Sequence, residues 1–132
     1  APLPVDFGHA VELLGYRVER AQRRPGKEVR VVTYWRVLQP PPMFMSGFMH
    51  LLSDPTHIVA QHDQWAILYD TLMPGDVFAQ LYTFILPADT PPGAYRLSLG
   101  WYILPSQSRL TVYAGNEPRG DRLMLQEITV RP

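Results

Sequence analysis

Cysteine is absent from the 132 residues, which excludes a disulfide framework, thiolate zinc sites and thiol catalysis. Neither charge is in excess, because twelve Lys plus Arg stand against twelve Asp plus Glu. A neutral chain has no net field to steer it to nucleic acid, so no nucleic-acid partner is expected. No apolar run approaches the roughly eighteen residues of a membrane span. The greasiest stretch, residues 43–52, is interrupted by Ser46, Gly47 and His50. The first residues, Ala-Pro-Leu-Pro, lack the charged-then-apolar pattern of a leader, so the chain reads as a processed product or a piece of a longer polypeptide. Lysine is nearly missing as well, with Lys27 alone beside eleven arginines.

What is present points to a packed domain. The chain is 46% hydrophobic and 18% charged, too apolar for a disordered polypeptide. At this length roughly two-thirds of the unfolded surface can be buried, which suits one domain over residues 1–132. Fourteen prolines and nine glycines punctuate it, and the segments between them alternate apolar with polar residues. In residues 27–37, Val29, Val31, Thr33, Trp35 and Val37 share one face, opposite Arg30, Tyr34 and Arg36. In residues 93–102, Tyr95, Leu97, Leu99 and Trp101 oppose Arg96, Ser98 and Gly100. A period of two marks half-buried antiparallel strands.

The same logic predicts strands at 13–20, 44–52, 58–61, 76–86, 109–113 and 123–131, making eight in all. Turn chemistry separates them, at Arg24-Pro25-Gly26, Pro40-Pro41-Pro42, Pro74-Gly75-Asp76 and Pro91-Pro92-Gly93. Residues 62–73 read as a structured loop crossing the molecule, with His62-Asp63 as a turn. The expected class is all-β: a two-sheet antiparallel β-sandwich, immunoglobulin-like or jelly-roll-like. Strand count and turn spacing do not by themselves separate a sandwich from a closed barrel.

The order of motifs carries a resemblance. Leu13-Leu14-Gly15-Tyr16 is followed by Pro25-Gly26, Val31-Val32-Thr33-Tyr34-Trp35-Arg36 and Phe48-Met49-His50-Leu51-Leu52. Then come Ile58-Val59-Ala60-Gln61-His62-Asp63, Pro74-Gly75-Asp76, Leu86-Pro87-Ala88-Asp89-Thr90-Pro91-Pro92-Gly93-Ala94-Tyr95-Arg96-Leu97, Gly100-Trp101-Tyr102 and Arg109-Leu110. From about Gly15 to Val130 the chain resembles the extracytoplasmic β-sandwich domain near the C-terminus of polytopic bacterial membrane proteins, notably of Chloroflexi. Those proteins are themselves similar to dolichyl-phosphate-mannose-type and arabinose-transferase-type glycosyltransferases. The resemblance implies a non-catalytic accessory module, tethered outside the cytoplasm through its parent protein. Its implied partners are a glycan or lipid-linked sugar, or the parent's own membrane portion. The alternative is a structural or protein-interaction domain with no small-molecule ligand.

Candidate chemistry is sparse. His50, His57 and His62 lie near Asp54 and Asp63, a ligand set suited to a divalent metal, but in no established ligand spacing. No metal and no cofactor are expected. No serine has an elbow context, and a catalytic carboxylate pair drawn from Asp54, Asp63, Asp70 and Asp76 would be arbitrary. Sugar recognition needs an aromatic face for pyranose C–H groups and polar side chains for hydroxyls. The aromatics placed to escape the core are Trp65, Tyr69, Tyr102 and Tyr113, with Asp63 as a polar neighbour; Trp35 and Trp101 alternate with aliphatic residues and belong inside. Residues 17–24 hold four arginines and Glu19; a solvated hairpin end is the ordinary explanation, and a phosphate or lipid headgroup the functional one.

Overall fold

The computed structural model describes residues 3–40, 44–63, 67–68, 72–103, 106 and 108–132. Its elements are all strands: β1 (Val5–Phe7), β2 (Val11–Glu19), β3 (Gln22–Arg23), β4 (Glu28–Val37), β5 (Phe44–Asp54), β6 (His57–Asp63), β7 (Ile67–Leu68), β8 (Val77–Ile85), β9 (Gly93–Ile103), β10 (Ser108–Arg109), β11 (Val112–Ala114), β12 (Glu117–Pro118) and β13 (Leu123–Val130). A six-stranded sheet runs β12-β11-β1-β2-β4-β8, and a seven-stranded sheet runs β3-β13-β9-β5-β6 with β10 on β9 and β7 on β5. The two sheets face each other as a β-sandwich.

Alternation explains the core. Val29, Val31, Thr33, Trp35 and Val37 of β4 are all buried, as are Tyr95, Leu97, Leu99 and Trp101 of β9. Trp35 meets Trp101 edge-on across the two sheets, with ring centres 5.3 Å apart. Trp35 also donates its indole N–H to Thr33 Oγ1 at 2.7 Å, and Thr33 donates to the Gln80 carbonyl at 3.0 Å, so the polar atoms of these two buried side chains are partnered.

The structure differs from the sequence reading at several places. Seven long strands match the prediction, but residues 109–113 divide between β10 and β11, which lie in different sheets. Leu110 and Val112 are both buried, and the backbone bends between them to cross the sandwich edge. Antiparallel pairing holds except at β3, which runs parallel to β13 with Thr129 opposite Gln22 and Val130 opposite Arg23. His62 and Asp63 extend β6 and do not form a turn. His62 Nδ1 accepts the Thr83 N–H at 2.8 Å, binding β6 of one sheet to β8 at the edge of the other. Ile67 and Leu68, within the expected loop, pair with β5.

Candidate functional site

The outer face of the seven-stranded sheet collects the polar and aromatic side chains that its core-facing residues alternate with. Register defines its rows. Asp63, Phe48 and Gly100 stand abreast on β6, β5 and β9; Gln61, His50, Ser98 and Met124 form the next row; Leu52, Arg96 and Glu127 follow. Phe48 is 1% exposed although it points away from the core. It is covered by Tyr102, whose ring is stacked on it at 5.9 Å, by His50 at 4.8 Å, and by the Arg109 guanidinium, 4.6 Å from the ring centre. Asp121, 3.6 Å away, holds Arg109 in place. Ser98 Oγ is buried without a hydrogen-bond partner among the described residues, an orphaned polar atom in the middle of this face.

A cavity of about 180 Å³ opens at the other end of the face. Leu52, Ala94 and Met124 make its apolar part, and Asp54, Arg96 and Glu127 its charged rim. A bulge in β13 builds this rim, because Leu125 and Gln126 together face one residue of β9 between the pairs Met124–Ser98 and Glu127–Arg96. Inward residues therefore switch phase, from Leu123 and Leu125 to Ile128 and Val130. Arg96 donates to the Leu125 carbonyl at 3.2 Å and lies 3.8 Å from Glu127. That ion pair is half exposed and contributes little stability; its effect is to orient the guanidinium along the face.

The β5–β6 hairpin closes one side. Asp54 accepts the Thr56 N–H at 2.8 Å and the Thr56 hydroxyl at 2.9 Å, and these bonds, the backbone one first, hold its pKa below the usual carboxylate range. Arg122 ties the hairpin to β13 by donating to the Pro55 carbonyl at 2.8 Å.

The residues singled out from sequence are spread over the molecule. Tyr102 is half-buried on the outer face just described, and the backbone of Asp63 stands in the Phe48 row. Tyr113 is in β11 of the other sheet, stacked on His9 at 3.9 Å. Trp65 and Tyr69 lie outside the described residues. Of the histidines, His50 lies on the outer face, His62 turns to β8 and His57 is exposed at the hairpin; no metal-ligating cluster of three forms among the described residues. Arg96 and Ser98 were legible as outward residues of one strand. Glu127, Met124 and Asp54 reach the same cavity only through strand pairing, which no local pattern announces.

No family model matches the chain, and no curated protein matches it. Among solved structures it is similar to the C-terminal domain of Wzt, with a TM-score of 0.61 and 13% identity over 97% of this chain and 77% of that one. It also matches Spo0M, a sporulation control protein from Bacillus subtilis, with a TM-score of 0.46 and 16% identity over 93% of this chain and 50% of that one. The likeness to the Wzt domain is one of fold, and it agrees with the β-sandwich.

Proposed function

We propose that the domain is a non-catalytic, extracytoplasmic accessory module of a glycosyltransferase-like membrane protein, and that the outer face of its seven-stranded sheet recognises a glycan or lipid-linked sugar. The observation that supports this reading most is the cavity beside Arg96. A void of about 150 Å³ accommodates a six-membered ring, so the volume suits one pyranose. Leu52, Ala94 and Met124 offer an apolar surface to its C–H groups, while Arg96 donates to hydroxyls and Glu127 and Asp54 accept from them. Beyond the cavity the face continues past His50 and Ser98 to Tyr102, about 20 Å along β9, where Tyr102 would meet further sugar units. A general-acid role does not suit Asp54, whose pKa the Thr56 hydrogen bonds hold below the usual carboxylate range.

Heteronuclear titration with oligosaccharides tests the reading. Shifts at Arg96, Met124 and Glu127 that disappear in Arg96→Ala are expected; no shift with any saccharide would refute it.

A structural role is the second reading, and the edge strand β8 favours it. Between Val77 and Ile85 there is no charged residue, and Val77, Leu81 and Ile85 are exposed. Edge strands of soluble domains are ordinarily guarded by charge. In this reading β8 packs against the parent protein's membrane portion, and Leu81→Lys would abolish that association without affecting the fold.

A further inference from the structure

The basic side chains divide by partner. Arg17, Arg30, Arg36, Arg96, Arg109 and Arg119 each have a carboxylate at 2.9–3.8 Å, and Arg122 donates to a carbonyl. Arg20, Arg23, Arg24, Arg131 and Lys27 have no ion pair among the described residues, and all five line one depression of about 350 Å³, with Gln22 beside them and no acidic residue. In a chain of zero net charge this segregation leaves five cations facing each other without compensation.

The backbone holds them there. Arg20, at a φ of 57°, carries the chain from β2 of one sheet to β3 of the other. The Thr129 N–H donates to the Ala21 carbonyl at 2.9 Å and the Arg131 N–H to the Arg23 carbonyl at 2.8 Å, so the parallel β3–β13 pair sets Arg131 beside Arg23. In the turn 24–27, Pro25 precedes Gly26, whose φ of 84° suits a type II geometry, and Lys27 N–H donates to the Arg24 carbonyl at 3.2 Å. Gly26 N–H in turn donates to the Leu86 carbonyl at 2.8 Å, anchoring the turn to the six-stranded sheet. Within this frame Arg23 Nε is buried and has no hydrogen-bond acceptor among the described residues. A buried donor without an acceptor is costly, and more so on a charged group.

We propose that this depression binds a phosphate or diphosphate group. Guanidinium forks match phosphate oxygens, and a compact multivalent anion neutralises several of the five charges and supplies the acceptor that Arg23 Nε lacks. A single carboxylate leaves most of the charge uncompensated. The site is separate from the cavity beside Arg96, shares no residue with it, and does not depend on that cavity binding sugar. The phosphate is either that of a soluble compound or that of a lipid headgroup.

The test is a heteronuclear titration of the domain at low salt with sodium pyrophosphate, with sodium chloride and sodium glucuronate as controls. It is paired with sedimentation on phosphatidylcholine vesicles with and without phosphatidate. Saturable shifts confined to residues 20–27 and 129–131 support a soluble phosphate compound. Sedimentation only with phosphatidate, without a pyrophosphate response, supports a lipid phosphate. In either case Arg20→Gln with Arg131→Gln weakens binding about tenfold or more, while Arg17→Gln, paired with Glu19 and outside the depression, leaves it unchanged. Because the double substitution relieves repulsion, its melting temperature at low salt should not fall below that of the unaltered domain. Absence of both responses, equal shifts with chloride or glucuronate, or a double variant that binds as well as the parent overturns the proposal.

Discussion

The tip of the Phe48 ring fills the space above Gly100 where a β-carbon would stand. The two residues are register partners on β5 and β9, so the absence of a side chain on one strand admits the aromatic ring of the other to the outer sheet face. Tyr102 and Arg109 then close over that ring. This packing gives the face a rigid aromatic end opposite the cavity beside Arg96.

Gly100→Ala should therefore lower stability by about 1–3 kcal/mol through overpacking. Combined with Phe48→Leu, which clears the ring, the two changes should be strongly non-additive. A double-mutant cycle by urea denaturation reads this directly, and simple additivity would count against the contact.

Trp101, fully buried against Trp35, should cost about 3–5 kcal/mol when replaced by alanine. Val77→Ala, at a side chain 60% exposed, should stay within about 0.5 kcal/mol. Circular dichroism melts followed away from the indole signal compare the two, and equal losses would mean the core is misassigned.

Saccharide binding is expected in the millimolar to micromolar range, roughly 4–8 kcal/mol, as suits a shallow site with few ordered contacts. Arg96→Ala should remove it and Tyr113→Ala, on the other sheet, should not. Trp65→Ala and Tyr69→Ala test whether the segment following β6 takes part. Chemical-shift titration of each variant with the same oligosaccharide separates these outcomes.

Asp54 has a folded-state pKa below its ordinary value, so its contribution to stability is complete above the unfolded-state pKa. It is lost as pH falls through the folded one. Asp54→Asn should flatten the dependence of the urea midpoint on pH at and below the ordinary carboxylate range, and leave that slope unaltered near neutrality. A variant whose acid slope matches the parent's would show that the Thr56 bonds do not lower the pKa.

Removal of metal should have no effect on folding. His50 is buried, His57 lies exposed at the hairpin and His62 turns to β8, so chelator treatment is expected to leave the melting temperature unchanged. A large fall on chelation, with a stoichiometric ion in the untreated protein, would contradict this.

Much of the fold was legible because strand alternation is local: each residue's neighbours in sequence tell which face it occupies, and Val31, Trp35, Leu97, Leu99 and Trp101 are all buried as the period of two requires. Turn prolines and glycines likewise marked where strands end. Local pattern also showed an arginine-rich run at residues 17–24 and outward Arg96 and Ser98. It could not show partners. Arg17 meets Glu19 whereas Arg20, Arg23 and Arg24 meet no carboxylate among the described residues, and Arg131 joins them from the far end of the chain through the parallel β3–β13 pair. Glu127 reaches Arg96 only because a bulge shifts the register of β13. In regularly alternating strands such as β4 and β9, side-chain direction depends on a residue and its immediate neighbours, and the sequence by itself determined it. Which distant strands pair, and with what offset, depends on burying two apolar faces together, and only the tertiary structure decided that.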